Sequence, residues 1–122
     1  MAGFTQGYQQ TILDWAFPTT GGSDFIAYSS NGSSEAATIA RTAIGATGWA
    51  SATAATPSVK ANNSALTSAA ASGSATITHV AIFSASSGGT QKTDWQALSA
   101  SRAVVAGDTL QWAVGAISIT LD

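Results

Sequence analysis

The chain has 122 residues, of which only 8% are charged, with a net charge of −2 and no cysteine. Its length suits a single domain, here predicted as one β-rich domain over residues 1–122. The four cations are scattered without a basic stripe, which argues against nucleic-acid binding. The lack of cysteine excludes disulfides and thiolate metal sites. No signal peptide and no apolar run of about 18 residues is visible, so we expect no membrane partner and synthesis in a cytoplasm.

The N-terminal segment has the spacing of an amphipathic helix. Apolar residues recur at i, i+4, i+8 and i+11, which places them on one helix face. Pro18 and the pair Gly21-Gly22 end the pattern. We therefore predict one short helix over residues 3–16, packed against a sheet through Phe4, Tyr8, Ile12 and Trp15.

The next segments read as short strands separated by turns. Residues 24–28 form a strand candidate, and Asn31-Gly32 is a turn signal. Residues 35–44 mix alanine with β-branched side chains, and we favour a strand. The stretch from 45 to 73 is rich in Ala, Ser and Thr, and we predict a loop there with short strands near 56–60 and 64–69.

Residues 75–83 give the strongest strand prediction. Both parities of this segment carry apolar side chains, which is typical of a strand buried on both sides. Two further candidates, residues 95–98 and 102–105, follow a Ser/Gly turn.

The C-terminal end alternates with period two in two runs. A turn at Ala106-Gly107-Asp108 opens it, and the apolar parity switches after Gly115. This pattern predicts half-buried antiparallel strands with a bulge, kink or tight turn at Gly115. Six to eight short strands and one helix predict a mainly β fold, either an antiparallel β-sandwich or a barrel-like roll with one short N-terminal helix.

No constellation of residues points to catalysis, a metal or a cofactor. The only histidine, His79, lies in the strongest strand, where a hydrogen-bonded structural role is favoured over that of a base or ligand. Asp108 follows Gly107 in a turn, where its carboxylate can accept from nearby backbone N–H groups. Asp14 opposes the helix dipole, so we expect a tertiary partner for it. We predict a protein that is not an enzyme and binds no cofactor.

The four tryptophans allow two interpretations. Trp15 and Trp112 fit periodic apolar faces and are predicted to be core residues. Trp49 and Trp95 lie among polar residues and are candidates for a subunit interface. Alternatively, Trp49 or Trp95 could stack on a carbohydrate.

Several motifs together resemble a family of small tailed-phage virion proteins, labelled tail fibre, minor structural or head decoration proteins. They are Thr78-His-Val-Ala-Ile-Phe83, Ser84-Ala-Ser-Ser-Gly-Gly89, Trp95-Gln-Ala-Leu98, Val105-Ala-Gly-Asp-Thr109 and Gly115-Ala-Ile-Ser-Ile-Thr-Leu-Asp122. The segment 29–39 departs from the family pattern, being short and rich in alanine.

This resemblance implies a non-enzymatic structural protein of a bacteriophage virion, made in the bacterial host. We expect a capsid decoration or minor capsid protein that binds the major capsid protein on the outer head surface and stabilises the head. A homo-oligomer, with a trimer favoured, is also implied. The alternative is a subunit of a tail fibre or tail tip that contacts host carbohydrate.

Overall fold

A computed structural model describes residues 4–55 and 57–121. This part of the chain is mainly β, with antiparallel sheets and one short helix, as the sequence predicts. Its elements are α1 (Gln6–Ala16), β1 (Phe25–Ser29), β2 (Thr42–Ala43), β3 (Ser58–Ala61), β4 (Leu66–Thr67), β5 (Ala75–Phe83), β6 (Gln96–Val104), β7 (Gln111–Trp112) and β8 (Ser118–Leu121).

The chain divides into two compact units. The helical unit comprises the described residues of 1–22, 44–65 and 112–122, and it holds α1, β3 and β8. The sheet unit comprises residues 23–43 and 66–111 and holds the four-stranded sheet together with β4.

In the helical unit, α1 packs on strand β3, which pairs antiparallel with β8. The helix begins after the N-cap Thr5, whose hydroxyl accepts from the Tyr8 N–H, and ends at Phe17. It falls within the predicted range of 3–16, whose first residue lies outside the described residues.

The face of α1 that packs inward is opposite to the predicted one. Gln9 and Leu13 are the buried residues of the helix. Trp15, predicted to be core, is 81% exposed, and Phe4 and Tyr8 are also exposed. The periodicity grouped these side chains correctly on one face, but polar contacts made on the opposite face decide which face packs on the strands.

The sheet unit is built on an antiparallel sheet of order β2-β1-β5-β6. Strand β5 is the predicted strand over 75–83, and its neighbour β1 aligns Phe25 with Phe83 and Ser29 with His79. The strand predicted over 35–44 is wrong except at β2. Residues 35–41 are irregular, with a turn and bend at 37–39, because Glu35 and Arg41 join in an ion pair across that segment.

Strand β6 lies at the edge of this sheet and carries a large bulge. Its pairing with β5 runs through Ile77 and Arg102, then resumes at His79 and Ala97. Four residues of β6, numbers 98–101, therefore stand opposite the single residue Thr78. The two strands predicted at 95–98 and 102–105 are thus parts of one irregular strand.

The C-terminal end is organised by Asn62 of the helical unit. The Asn62 side chain accepts from the Ile117 N–H and donates to the Ala113 carbonyl. Between these contacts Gly115 adopts φ +79°, a conformation that favours glycine, and turns the chain where the parity switches. The strand that follows, β8, finds its partner in the distant β3.

Candidate interaction surfaces

Trp15 and Trp49 occupy positions different from those predicted. Trp49 is 1% exposed and packs on the Phe17 ring at a centroid distance of 5.3 Å. It is therefore a core residue of the helical unit, and its buried side chain offers no surface to a partner or a sugar. Trp95 is half-buried beside Phe83, at 5.9 Å, and keeps part of its ring accessible. Trp112 is half-buried.

The outward side of α1, together with Phe4 just before its N-cap, is an apolar surface. It is called here the aromatic face and consists of Phe4, Tyr8, Thr11, Ile12 and Trp15. Phe4 is 49% exposed, Tyr8 56% and Trp15 81%. The Phe4 and Tyr8 rings contact each other at 5.7 Å. Soluble helices usually turn charged and polar residues to this side, so the face is an unusual surface for an isolated chain.

An ion pair anchors the opposite side of the helix. Lys60 Nζ, whose side chain is fully buried, lies 2.6 Å from Asp14 Oδ1. The same carboxylate oxygen accepts from the Ala52 N–H at 2.9 Å. Burial opposes ionisation of Asp14, but the hydrogen bond from Lys60, the Ala52 N–H and the Lys60 charge together lower its pKa below the ordinary value. Lys60 is thus the tertiary partner that the sequence left unnamed.

A second polar cluster centres on Arg41 in the sheet unit. Its guanidinium makes two hydrogen bonds to the Glu35 carboxylate, at 2.8 and 2.9 Å, and lies 4.0 Å above the Phe83 ring. It also donates to the carbonyls of Ala85 and Gly88. The hydrogen bond to Glu35 is the main cause of a raised pKa for Arg41.

The Arg41 cluster borders a shallow cleft of about 320 Å³. Four of the five guanidinium N–H groups are engaged within the chain, and two of these hydrogen bonds fix the loop after β5. The cleft is lined by Glu35, Ala36, Ala37, Ile39, Ala40, Arg41, Ser86, Ser87 and Gly88.

Arg41→Lys is expected to loosen the loop at residues 85–89, because lysine cannot make the forked contacts of arginine. We expect amide hydrogen exchange in this loop to accelerate at least three-fold. Arg102→Lys is the matched control, since Arg102 is exposed on β6 and should leave exchange unchanged. Equal protection of the loop in both variants would contradict the assigned role of Arg41.

The other residues singled out in the sequence, His79, Gly107 and Asp108, do not form a common site. Each makes local contacts of a structural kind. His79 Nδ1 is 2.8 Å from the neighbouring Thr78 hydroxyl, and its ring lies against Gly32, where a Cβ atom would come within 2.9 Å of Nε2. Asp108 accepts from the Val105 N–H at 2.9 Å, and Gly107 adopts φ +94° in the same turn. The Asp108 contact orders a turn, and the His79 ring packs against the loop at Gly32.

The described residues contain no group of three or more His, Cys, Asp or Glu side chains able to hold a metal ion. Over the same ranges no helix has the length and hydropathy needed to cross a membrane. What the described structure does offer is an apolar surface on α1 and the accessible part of Trp95.

The described structure is thus a small mainly β chain with an apolar surface on α1 and a partly accessible Trp95. The family model described as Podophage GP4 fiber I protein gp80 matches residues 15–120, which include the whole sheet unit and the part of the helical unit from residue 15 to residue 120. The chain therefore belongs to this family of phage fibre proteins and is a structural protein of a phage virion. A search of curated proteins found no match.

Proposed function

We propose that this protein is a non-enzymatic subunit of a podophage fibre, where it associates with other subunits of the virion. The family match over residues 15–120 carries this proposal. The low content of charged residues, 8%, supports it, since a polar surface with few charges opposes close packing of neighbours only weakly.

The second candidate is a head decoration protein that binds the major capsid protein. The compact form of each unit supports this role, because the single described helix has 11 residues and supplies no elongated stalk. Decoration would act by mass action, with each bound subunit adding free energy to the closed shell.

Phage particles that lack this protein distinguish the two functions. For a fibre subunit, we expect adsorption to the host to fall at least ten-fold while filled heads keep their resistance to heat. Particles complemented with the natural protein provide the control. Early release of DNA on heating, with unchanged adsorption, would instead establish the decoration role.

The copy number and position of the protein give an independent test. A fibre subunit should be present in a small multiple of the tail symmetry and lie at the tail in a cryo-EM map. Hundreds of copies on the head would overturn the proposal. The trimer implied by the resemblance is part of this proposal, and the mass of the purified protein in solution tests it.

A further inference from the structure

The aromatic face of α1 has the spacing of a helix–helix seam. Within α1, Tyr8, Thr11 and Trp15 follow one another at intervals of three and four residues, and Phe4, just before the N-cap Thr5, contacts the Tyr8 ring. This alternation places side chains along one line of a helix, as at the a and d positions of a coiled coil. From Tyr8 to Trp15 the line is about 10 Å long at a rise of about 1.5 Å per residue.

The helix is held so that this seam stays outward. On its inner side Gln9 accepts from the Ser58 N–H at 3.1 Å, and Gln10 donates to the Ala52 carbonyl at 3.2 Å. Together with the ion pair of Asp14 and Lys60, these contacts fix the rotation of α1 on its own unit. The seam therefore cannot turn inward without breaking buried polar contacts.

The charge distribution fits a second copy of the same helix. Asp14 is the only ionisable side chain of α1 that is charged at neutral pH, and Lys60 already compensates it on the inner side. The outward seam carries no charge, so two identical seams meet without like-charge repulsion. An uncharged helical line also offers nothing to attract a charged partner.

The exposed area indicates a weak association. Three aromatic side chains with these exposures present on the order of 400 Å² per copy. A stable dimer buries about 800 Å² per partner. The seam alone is therefore sufficient for a weak contact, which the high local concentration of subunits in a particle would strengthen.

We propose that the aromatic face is a self-association surface, which packs against the same face of a second copy of this chain. The inference goes beyond the proposed function, because it holds for either position in the virion. Packing of α1 on α1 would bury Trp15 and bring Tyr8 and Thr11 to the centre of the contact.

Sedimentation of the full chain over a range of concentrations tests this surface. We expect reversible formation of a dimer or trimer, and at least a ten-fold weaker association for Trp15→Ser. Val114→Ser is the matched control, since Val114 is 64% exposed in the same unit but lies outside α1. A chain that stays monomeric, or equal effects of the two variants, would overturn the proposal.

Cross-linking supplies a second readout that does not depend on removing an aromatic side chain. Because the chain has no cysteine, Thr11→Cys introduces a single thiol into the seam. A short bismaleimide is expected to link two copies through this thiol. Thr20→Cys, exposed outside the helix, should give little product. Equal yields from both variants would count against the seam.

Discussion

Trp49→Ala is expected to lower the free energy of unfolding by about 3–5 kcal/mol, as is typical of a buried tryptophan reduced to alanine. Trp49 is the largest fully buried side chain of the described structure. Its loss would leave a cavity beside the Phe17 ring, which packs against it. Urea denaturation followed by circular dichroism measures the change.

Trp15→Ala is the control for this prediction. Both variants remove one indole, but Trp15 is 81% exposed. At low protein concentration its replacement should change stability by less than about 0.5 kcal/mol. Similar losses from Trp15→Ala and Trp49→Ala would contradict the placement of the two side chains.

Asp14→Asn is expected to cost about 2 kcal/mol, because it leaves the buried Lys60 ammonium without a counter-ion. The loss stays below that of a wholly buried pair, since the Asp14 side chain is 41% exposed and water screens it. Asp94→Asn, at an exposed position, is the control and should change stability little.

The cost of Asp14→Asn should also depend on pH. The folded-state pKa of Asp14 lies below its ordinary 3.8. The ionised carboxylate therefore contributes its full stabilisation above that ordinary pKa and loses it as the pH falls through the folded-state pKa. The difference between natural protein and variant should be constant from pH 5 to 7 and shrink below pH 4. A difference that grows on acidification would contradict the lowered pKa.

The sequence was most informative where apolar alternation was strong. The central strand β5 and the chain reversal at Gly115 follow from period-two patterns that local chemistry supports. The segment 35–44 was not predictable in this way, because the Glu35–Arg41 pair and the contact with the loop after β5 are tertiary. The requirement for glycine at position 48 was not predictable either. Only the folded structure shows that a Cβ atom there would lie 1.8 Å from the Ile44 carbonyl oxygen.

The orientation of α1 shows a more general limit. Periodicity identified the apolar side of the helix, and the usual inference is that this side faces the core. Here Gln9 and Asp14 face inward because backbone N–H groups of the helical unit require acceptors. The aromatic face was thus recognisable in the sequence. Whether it points to the core or to solvent depended on contacts with residues distant along the chain.

The bulge in β6 bears on how such a subunit avoids uncontrolled polymerisation. An exposed edge of nine regular residues with a single charge would offer a template for any passing strand. Residues 98–101 of β6 bulge opposite the single residue Thr78 and interrupt the regular edge. A second strand therefore cannot form continuous backbone hydrogen bonds along β6. In an infected cell filled with newly made copies, this irregularity would restrict growth to finite assemblies and keep subunits available for the particle.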